Sequence, residues 1–256
     1  MEGKVALVTG AAGGIGTAIV EALVERGVAV AAVDRDDDRL DLLVKDTADL
    51  DGHVAAFACD VTSRADVERV VDDAERNLGP VDYLVNAAGI LRLAEAGALT
   101  REDWDMTLAV NATGVFNVSG AVVNRMIPRR RGAIVTVASN AAGTARTGMA
   151  AYAASKAAAA MFTKCLGLEV AKHGIRCNVV APGSTDTPML SSMWRDGNGA
   201  RASIEGVPES FRVGIPLGRL AVPADVANAV LFLLSEQAAH VTLHSLTVDG
   251  GATLGV

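Results

Sequence analysis

The amino-acid sequence predicts a single-domain α/β fold in which a doubly wound parallel sheet of about seven strands carries helices on both faces. Short runs rich in Val, Ile, Leu and Ala alternate with longer stretches of helical pattern along the whole chain. Most short runs are continuously apolar, as expected of parallel strands that are buried on both sides. The 256 residues, half of them hydrophobic, suit one domain spanning 1–256, and no second boundary or repeat is visible.

Each strand is predicted from an apolar run, and each helix from the longer pattern that follows it. The predicted strands are residues 5–9, 28–34, 54–59, 83–86, 133–139, 176–181 and 245–248. The predicted helices are residues 14–26, 37–50, 64–78, 101–127, 152–173 and 223–235. Repeated alternation of this kind produces a doubly wound sheet, because the crossovers between parallel strands share one hand.

One segment, residues 190–214, departs from the alternation. It is rich in Ser, Gly, Arg and Asp, and it contains an isolated Met193-Trp194 pair. We expect a partly helical, mobile lid beside the substrate site. A solvated surface insertion is the alternative interpretation.

A glycine-rich loop, TGAAGGIG at residues 9–16, joins the first strand to the first helix. Small residues let the backbone approach a pyrophosphate, and the helix N-terminus supplies N–H donors and the positive end of its dipole. The loop therefore predicts a dinucleotide site that includes Gly10, Gly14, Ile15 and Gly16. A tight turn without a ligand is the alternative.

Asp34 ends the second predicted strand, where an acid can accept hydrogen bonds from an adenosine ribose. A carboxylate at this place repels a 2′-phosphate, and the glycine loop has no Lys or Arg to offset that repulsion. The sequence therefore favours NAD over NADP. An inward turn of Arg35 would favour NADP instead.

Tyr152 and Lys156 lie four residues apart, and Ser139 precedes them at the end of a predicted strand. On a helix, side chains at this spacing share one face. A phenol ionises near pH ~10, and a nearby cation favours the phenolate, so Lys156 is expected to bring Tyr152 into the range of a general base. A Tyr-x-x-x-Lys pair alone is a weak signal, but with the serine and the glycine loop it predicts a catalytic site.

Composition and charge argue against several other classes of function. The formal net charge is −7 and no basic stripe is present, which argues against nucleic-acid binding. The basic cluster at residues 129–131 is interpreted as favourable charge at a helix C-terminus. Three scattered cysteines and four histidines without ligand spacing indicate reduced thiols and no metal site. No long apolar run and no room for a signal peptide are visible, so we expect a cytoplasmic protein without a membrane span.

The chain resembles the short-chain dehydrogenase/reductase family over its whole length. Residues 9–16 resemble the family's cofactor loop, and Asn86-Ala87-Ala88-Gly89 resembles its Asn-Asn-Ala-Gly segment, with Ala87 in place of the commoner Asn. The resemblance implies a Rossmann-type fold with NAD as the cofactor. It implies cofactor contacts from Asp60, Val61, Asn86, Ala88, Gly89, Tyr152, Lys156, Pro182, Gly183 and Thr187.

The resemblance also implies a catalytic set of four residues, Asn111, Ser139, Tyr152 and Lys156. Tyr152 would be the general base for alcohol oxidation, and Ser139 would hydrogen-bond the reacting oxygen. Lys156 would lower the pKa of Tyr152 and hold the nicotinamide ribose. Asn111 would hold a water that links Lys156 to solvent. Asn is a poor helix former, and a solvated surface Asn in the predicted helix is the alternative.

Eight segments between residue 86 and the C-terminus resemble a narrower group within the family. That group oxidises 2,3-dihydro-2,3-dihydroxybenzoate to 2,3-dihydroxybenzoate for catecholate siderophores and related natural products. The segments are residues 86–92, 102–104, 132–139, 146–149, 176–180, 182–187, 215–218 and 248–255. The resemblance implies a small carboxylated cyclohexadiene as substrate.

Three alternatives stay open. One is the same aromatising oxidation of trans-2,3-dihydro-3-hydroxyanthranilate, which differs only in the substituent at C2. The second is reduction of a ketone or 3-oxoacyl group, which Asp34 and two arginines near the site disfavour. The third is a non-catalytic NAD-binding scaffold, which the intact catalytic set disfavours.

A benzoate-type substrate carries a carboxylate, so its site should hold a cation, and arginine binds carboxylates with two parallel hydrogen bonds. Arg146 lies between Ser139 and Tyr152, and Arg92 follows the segment at 86–89. Both are predicted substrate residues. A surface arginine or a local salt bridge is the alternative for each.

Met149, Met189 and Trp194 are predicted to cover the substrate ring, with ordinary packing as the alternative. Similar proteins are homotetramers, and the Ala-rich helix after Tyr152 would permit close packing between helices of two copies. The expected partners are therefore the small substrate and further copies of the chain, with no nucleic acid and no membrane.

Overall fold

Seven parallel strands form one sheet in the computed structural model of the protein, which describes residues 1–194 and 198–255. The strands are β1 (Val5–Thr9), β2 (Ala29–Asp34), β3 (His53–Ala58), β4 (Tyr83–Asn86), β5 (Gly132–Val137), β6 (Ile175–Pro182) and β7 (Ser245–Val248). Their order across the sheet is β3-β2-β1-β4-β5-β6-β7. The order reverses between β1 and β4, which opens a crevice at the carboxyl ends of the strands. The predicted doubly wound, Rossmann-type sheet is confirmed.

Helices cover both faces of the sheet and enclose two apolar cores. They are α1 (Gly14–Val24), α2 (Asp37–Asp46), α3 (Arg64–Leu78), α4 (Arg101–Leu108), α5 (Gly114–Arg129), α6 (Ala150–Val170), α7 (Pro188–Ser191), α8 (Gly199–Glu205) and α9 (Pro223–Leu234). Helices α1, α2 and α9 pack on one face, and α3, α5 and α6 on the other. The five central strands, β2, β1, β4, β5 and β6, are mostly buried from both sides, which explains their apolar runs, whereas the edge strands β3 and β7 are partly exposed.

The helix predicted over residues 101–127 is interrupted by a π-turn, Ala109–Thr113, between α4 and α5. A π-turn adds one residue to a helix, and the apolar pattern on either side does not reveal it. The helix predicted over 37–50 ends at Asp46, because the Thr47 hydroxyl hydrogen-bonds the Leu43 carbonyl at 2.8 Å and closes the last turn. The other bounds agree with the predicted ones within three residues.

The segment predicted as a lid holds the end of α7, helix α8 and a tight antiparallel turn that pairs Val207 with Arg212. Residues 195–197 of the predicted lid lie outside the described residues. The segment leaves the sheet after β6 and returns to it through α9. It therefore stands over the carboxyl ends of the strands.

One helical stretch in the described part of the chain, Arg101–Arg129, is long and apolar enough to cross a membrane by length and composition. However, 56% of its most apolar window is buried inside the protein. The same stretch contains α5, whose buried side chains belong to the core beside α3 and α6. Its hydrophobicity is accounted for by that packing.

Candidate active site

A cavity of about 610 Å³ opens at the carboxyl ends of β5 and β6. Ser139, two residues beyond β5, and the first turns of α6 form one side of it. The loop after β6 and the segment at 190–214 form the other side. The cavity therefore lies where open α/β sheets bind their ligands.

Ser139, Tyr152 and Lys156 converge on this cavity. The Lys156 side chain is buried, donates a hydrogen bond from Nζ to the Val137 carbonyl at 2.9 Å, and lies 5.8 Å from the centre of the Tyr152 ring. The Ser139 hydroxyl hydrogen-bonds the Tyr152 phenol. A phenol and a hydroxyl thus lie side by side, with an ammonium group behind the phenol ring.

The ionisation of this pair differs from the sequence-based expectation. Burial raises the pKa of Tyr152, and the hydrogen bond from Ser139 offsets only part of the rise. Burial also lowers the pKa of Lys156 from 10.5 to about 8. The expected lowering of the Tyr152 pKa by Lys156 is therefore not observed, because burial disfavours the charged form of both groups.

Asn111 lies in the π-turn and is fully buried, so it is not a solvated surface residue. Its Oδ1 accepts a hydrogen bond from the Ile90 amide at 2.8 Å, and its Nδ2 donates to the Ile90 carbonyl and to Ser155 Oγ, both at 2.9 Å. Both amide hydrogens are therefore used inside the protein. The side chain ties the loop after β4 to α6, next to Lys156.

The glycine loop fits a bound pyrophosphate. Gly10 has a left-handed φ of 68°, and a Cβ there would lie 2.6 Å from the Ala88 backbone nitrogen. Helix α1 begins at Gly13 without a side-chain cap and without an acidic residue in its first turn. By contrast, α2, α3 and α4 are each capped by a side chain. The N–H groups at the start of α1 are therefore free to bind an anion.

Asp34 is held beside this loop by three backbone amides. Its carboxylate accepts hydrogen bonds from Ala12 at 3.1 Å, Arg35 at 2.8 Å and Asp36 at 3.3 Å. The hydrogen bond to Ala12 joins the end of β2 to the glycine loop. The carboxylate is thus fixed beside the glycine loop, and its contact with a ribose stays a prediction.

Two further predicted cofactor residues, Asp60 and Val61, follow β3. The Asp60 carboxylate accepts hydrogen bonds from the Thr62 amide and hydroxyl at 2.9 and 2.8 Å. The Val61 carbonyl accepts one from Asn117 at 3.0 Å, and a Cβ on Gly114 would lie 2.7 Å from the Val61 side chain. This pair is fixed at the edge of the crevice against α5.

Asn86 differs from the other predicted cofactor residues, because its side chain turns into the protein. It is buried and donates hydrogen bonds to Ser119 Oγ at 2.9 Å and Thr136 Oγ1 at 3.3 Å. Its Oδ1 is buried without a hydrogen-bond partner among the described residues. Ala88 and Gly89 continue this loop, and Gly89 borders the cavity beside Lys156.

Pro182, Gly183 and Thr187 also border the cavity. Thr187 caps α7 and lies against Gly14, where a Cβ would lie 2.8 Å from the Thr187 methyl carbon. The glycine loop and the loop after β6 therefore approach each other over the crevice. Ile15 also borders the cavity.

The structure brings four of the five predicted substrate residues to the cavity, namely Arg146, Met149, Met189 and Trp194. Arg146 belongs to the loop between Ser139 and α6. The methionines and the tryptophan supply apolar surface on both sides of the cavity. This combination suits a flat ring that carries one anionic group.

Arg92 is not brought to the cavity, which corrects the sequence-based expectation. It is not among the cavity-lining residues, its side chain is 58% exposed, and it pairs with Asp103 at 3.7 Å. The local salt bridge was the alternative interpretation of this residue. Its position after β4 was the reason for the prediction, but the loop carries the side chain away from the cavity.

A second arginine of the cavity, Arg212, was missed by the sequence reasoning. It comes from the turn that pairs residues 207 and 212, just before the resembling segment 215–218 but outside every motif used to predict site residues. The only sequence signal for it was its position within the segment predicted as a lid. Among the described residues, no group of three or more His, Cys, Asp or Glu side chains could hold a metal ion.

The chemistry available here combines proton exchange with dinucleotide binding. A phenol hydrogen-bonded to a serine can exchange a proton with an alcohol or carbonyl oxygen in the cavity. The neighbouring crevice offers helix N–H groups to phosphates and a carboxylate to a ribose. These properties define an oxidoreductase of the α/β type that works with a nicotinamide dinucleotide.

Comparison with known proteins gives the family. The family model described as short chain dehydrogenase matches residues 4–198, and the chain belongs to this family of dehydrogenases. It is 54% identical over 256 residues to 2,3-dihydro-2,3-dihydroxybenzoate dehydrogenase of Bacillus subtilis, covering 100% of this chain and 98% of the relative. It is 44% identical to the protein of the same name from Escherichia coli, covering 99% and 98%. A crystal structure of a 3-oxoacyl-[acyl-carrier protein] reductase with bound NAD from Brucella melitensis superposes with a TM-score of 0.85 at 32% identity, covering 98% and 91%.

Proposed function

We propose that the protein oxidises 2,3-dihydro-2,3-dihydroxybenzoate to 2,3-dihydroxybenzoate with NAD. The observation that carries this proposal is the 54% identity, over the complete length of the chain, to a dehydrogenase of that substrate. The cavity supports it, because it combines an alcohol-oxidising group with a free arginine and apolar walls. A dihydroaromatic acid has the matching features, a ring hydroxyl, a carboxylate and a flat apolar ring.

The proposed reaction removes a hydride and a proton from one ring carbinol. Tyr152 takes the hydroxyl proton, and Ser139 hydrogen-bonds the same oxygen as it becomes a carbonyl. NAD, when bound, accepts the hydride. Lys156, buried behind the Tyr152 ring, would hold the nicotinamide ribose and would favour the phenolate when it carries its proton.

The ring then completes the reaction. Oxidation of the carbinol leaves a cyclic ketone, which tautomerises to the catechol by moving a ring proton to the carbonyl oxygen. Aromatisation makes this step strongly favourable and pulls the alcohol oxidation forward. The site therefore needs to catalyse only the hydride and proton removal and to exclude water from the reacting oxygen.

NAD is proposed as the cofactor because of Asp34 and the free start of α1. The amide-held carboxylate of Asp34 would accept hydrogen bonds from the adenosine ribose and repel a 2′-phosphate. The glycine loop and the uncapped helix would bind the pyrophosphate. The loops at 86–89 and 182–187 would contact the ribose and nicotinamide.

The product, a catechol that carries a carboxylate, is a strong oxygen chelator for iron, so we propose a role in the biosynthesis of catecholate siderophores or related natural products. We further propose that the enzyme works in the cytoplasm as a homotetramer, and that residues 190–214 close over the bound substrate as a lid. These proposals rest on the resemblance to the relatives and not on a contact within the chain.

Two other substrates deserve a direct comparison. The amino analogue trans-2,3-dihydro-3-hydroxyanthranilate shares the carbinol and the carboxylate, and one contact at C2 decides between the two acids. A 3-oxoacyl thioester is the substrate class of the Brucella relative at 32% identity. Arg146 and Asp34 favour the carboxylated diol and NAD.

The test is a turnover assay with 2,3-dihydro-2,3-dihydroxybenzoate, with trans-2,3-dihydro-3-hydroxyanthranilate and with a 3-oxoacyl thioester, each in the presence of the oxidised or reduced form of NAD or NADP. Formation or loss of the reduced cofactor is followed by its near-ultraviolet absorbance, and Tyr152→Phe serves as the control for this site. We expect the highest kcat/KM for the diol acid with NAD. A higher value for either other substrate, or for NADP, would contradict the proposal.

A further inference from the structure

Two arginines of the cavity, Arg146 and Arg212, have no anionic partner. Neither guanidinium makes a hydrogen bond or ion pair with any of the described residues, although Arg212 is only partly exposed. The other partly buried arginines among the described residues, Arg125, Arg129 and Arg176, all have hydrogen-bond partners. Arg176, for example, donates to three backbone carbonyls at 2.6 to 3.1 Å. A half-buried guanidinium with five free donors is costly unless something else binds it.

The two guanidiniums are close enough to repel each other. Burial lowers the pKa of Arg212, and the positive charge of Arg146 lowers it further. Lys156 is a third cation that lines the cavity, but its ammonium group donates a hydrogen bond to the Val137 carbonyl. Glu95 is a carboxylate of the lining, but it is exposed and pairs with neither arginine. An anion placed between Arg146 and Arg212 would remove this repulsion and satisfy both groups.

The backbone that carries Arg212 is fixed in place. The Val207 amide donates to the Arg212 carbonyl at 2.9 Å, and the Arg212 amide donates to the Val207 carbonyl at 3.1 Å. Gly206 and Gly214 let the two sides of the turn approach, since a Cβ on either would lie 2.5 Å from a backbone oxygen of the other side. These contacts fix the conformation of the turn that carries Arg212.

Phe211, the residue before Arg212, adopts a left-handed φ of 56°, which costs a bulky side chain about 1 kcal/mol or more. Its ring is 87% exposed, so burial of the ring does not repay this cost. The left-handed conformation of Phe211 instead sets the direction of the backbone at Arg212. A strained residue that gains nothing from its own packing indicates that the position of its neighbour matters.

We propose that Arg212 and Arg146 together bind the carboxylate of the substrate, one from each side of the cavity. This proposal rests on the function proposed above. Arg146 comes from the loop next to the catalytic tyrosine and Arg212 from the segment predicted as a lid, so a bound carboxylate would join the two. Arg212 would thus select acidic substrates over neutral ones.

The test compares Arg212→Gln with the wild type on two substrates, the dihydrodiol acid and the neutral cyclohexadiene diol of the same ring stereochemistry. Arg201→Gln is the matched control, because Arg201 lies in α8 of the same segment, pairs with Glu205 at 2.9 Å and does not line the cavity. We expect Arg212→Gln to lower kcat/KM for the acid about 10- to 100-fold, the range for a hydrogen bond between charged groups, through a higher KM. The value for the neutral diol should change less than about twofold, and the control should match the wild type.

Binding measurements make the outcome independent of turnover. Calorimetry with 2,3-dihydroxybenzoate and with catechol measures how strongly each variant prefers the ligand that carries a carboxylate. If Arg212→Gln does not fold, Arg212→Lys replaces it, because lysine keeps the charge and loses the planar guanidinium fork. A reduced preference for the acid supports the proposal. An unchanged preference, or an equal loss on the acid and the neutral compound, overturns it. Failure of the wild type to oxidise the acid would instead contradict the proposed function, and the binding preference would still decide the role of Arg212.

Discussion

At the scale of single residues, the chemistry of the cavity depends on a small group of polar side chains at the end of β5 and the start of α6. Ser139, Tyr152 and Lys156 meet as their spacing predicts. The electrostatics of the group were not predictable from spacing, since they depend on burial. Likewise Arg92 and Arg212 could not be distinguished from the sequence. Which arginine reaches the cavity is decided by the course of two loops.

Tyr152→Phe tests the proposed general base. The variant keeps the ring and removes the group that accepts the proton, so kcat should fall by about 10²- to 10⁴-fold. Binding of NAD, measured by titration, should change little because the phenol is not a phosphate or adenine contact. Ser139→Ala, which removes only the neighbouring hydroxyl, is the comparison and should lose less. Near-normal turnover by the Phe variant would exclude Tyr152 as the base.

Asp34→Ala tests the choice of cofactor. Loss of the carboxylate removes the proposed ribose acceptor and the repulsion of a 2′-phosphate, so kcat/KM should fall for NAD and rise for NADP. The substitution also frees the amides of Ala12, Arg35 and Asp36, so Asp34→Asn, which keeps an acceptor oxygen without the charge, is the control for loop stability. An unchanged ratio of the two kcat/KM values would mean that Asp34 does not face the ribose.

At the scale of elements, the strands were predictable and the irregular pieces were not. A parallel strand covered on both faces is an apolar run, which identifies the central strands, and shorter apolar segments identified the edge strands β3 and β7. The π-turn Ala109–Thr113 and the turn that carries Arg212 have no local signature. Their geometry is stabilised by contacts with distant segments, such as those of Asn111 with Ile90 and Ser155. Helix propensity alone therefore indicates only that Asn111 is unfavourable in a helix, and it does not predict the hydrogen bonds that Asn111 makes with Ile90 and Ser155.

Asn111→Ala tests the role of the π-turn. The change leaves the partly buried amide and carbonyl of Ile90 without their side-chain partner, which should lower the free energy of unfolding by about 1 to 3 kcal/mol. It also releases Ser155, the neighbour of Lys156, so kcat should fall as well. Asn117→Ala is the matched control, because Asn117 is a buried Asn of α5 that holds the carbonyls of Val61 and Thr62.

The control should lose similar stability in urea denaturation, but its kinetic effect should be on KM for the cofactor. If Asn111→Ala and Asn117→Ala have the same kinetic effect, then the π-turn contributes only to stability.

At the scale of the whole molecule, one outer surface of the chain is apolar. Exposed apolar residues on one face of α6 are Met161, Cys165 and Leu168. Phe116 of α5 is exposed nearby and packs edge-on against Phe162 of α6. A stripe of this kind suits contact with another copy of the chain. It agrees with the predicted homotetramer, which stays a prediction.

Met161→Glu tests that assembly. Met161 is 60% exposed in the single chain, and a carboxylate there would be buried without a partner if α6 packs against a second copy. We expect light scattering to show a smaller assembly than the wild type at the same concentration. Leu42→Glu, at a residue of similar exposure (57%) on α2, is the control and should keep the wild-type mass. An unchanged mass for Met161→Glu would place the interface elsewhere.

The pH dependence of stability is a property of the whole molecule that follows from Lys156. Its pKa is about 8 in the folded protein and 10.5 in the absence of burial, so the unfolded chain binds more protons between these values. The cost of burying the ammonium is therefore fully present below pH 8 and is relieved as the pH rises towards 10.5. The proposed role of Lys156 in holding the cofactor would account for keeping a group that destabilises the fold at neutral pH.

Lys156→Met removes the titrating group, so the comparison with the wild type isolates its contribution. Between pH ~7 and pH ~10 the free energy of unfolding of the wild type should rise relative to the variant by up to about 3 kcal/mol. Urea denaturation at one protein concentration measures it, and Lys45→Met, at an exposed lysine of α2, controls for the loss of one surface charge. A constant difference in the free energy of unfolding between wild type and Lys156→Met across this range would show that Lys156 keeps its proton. Burial would then not lower the pKa of Lys156.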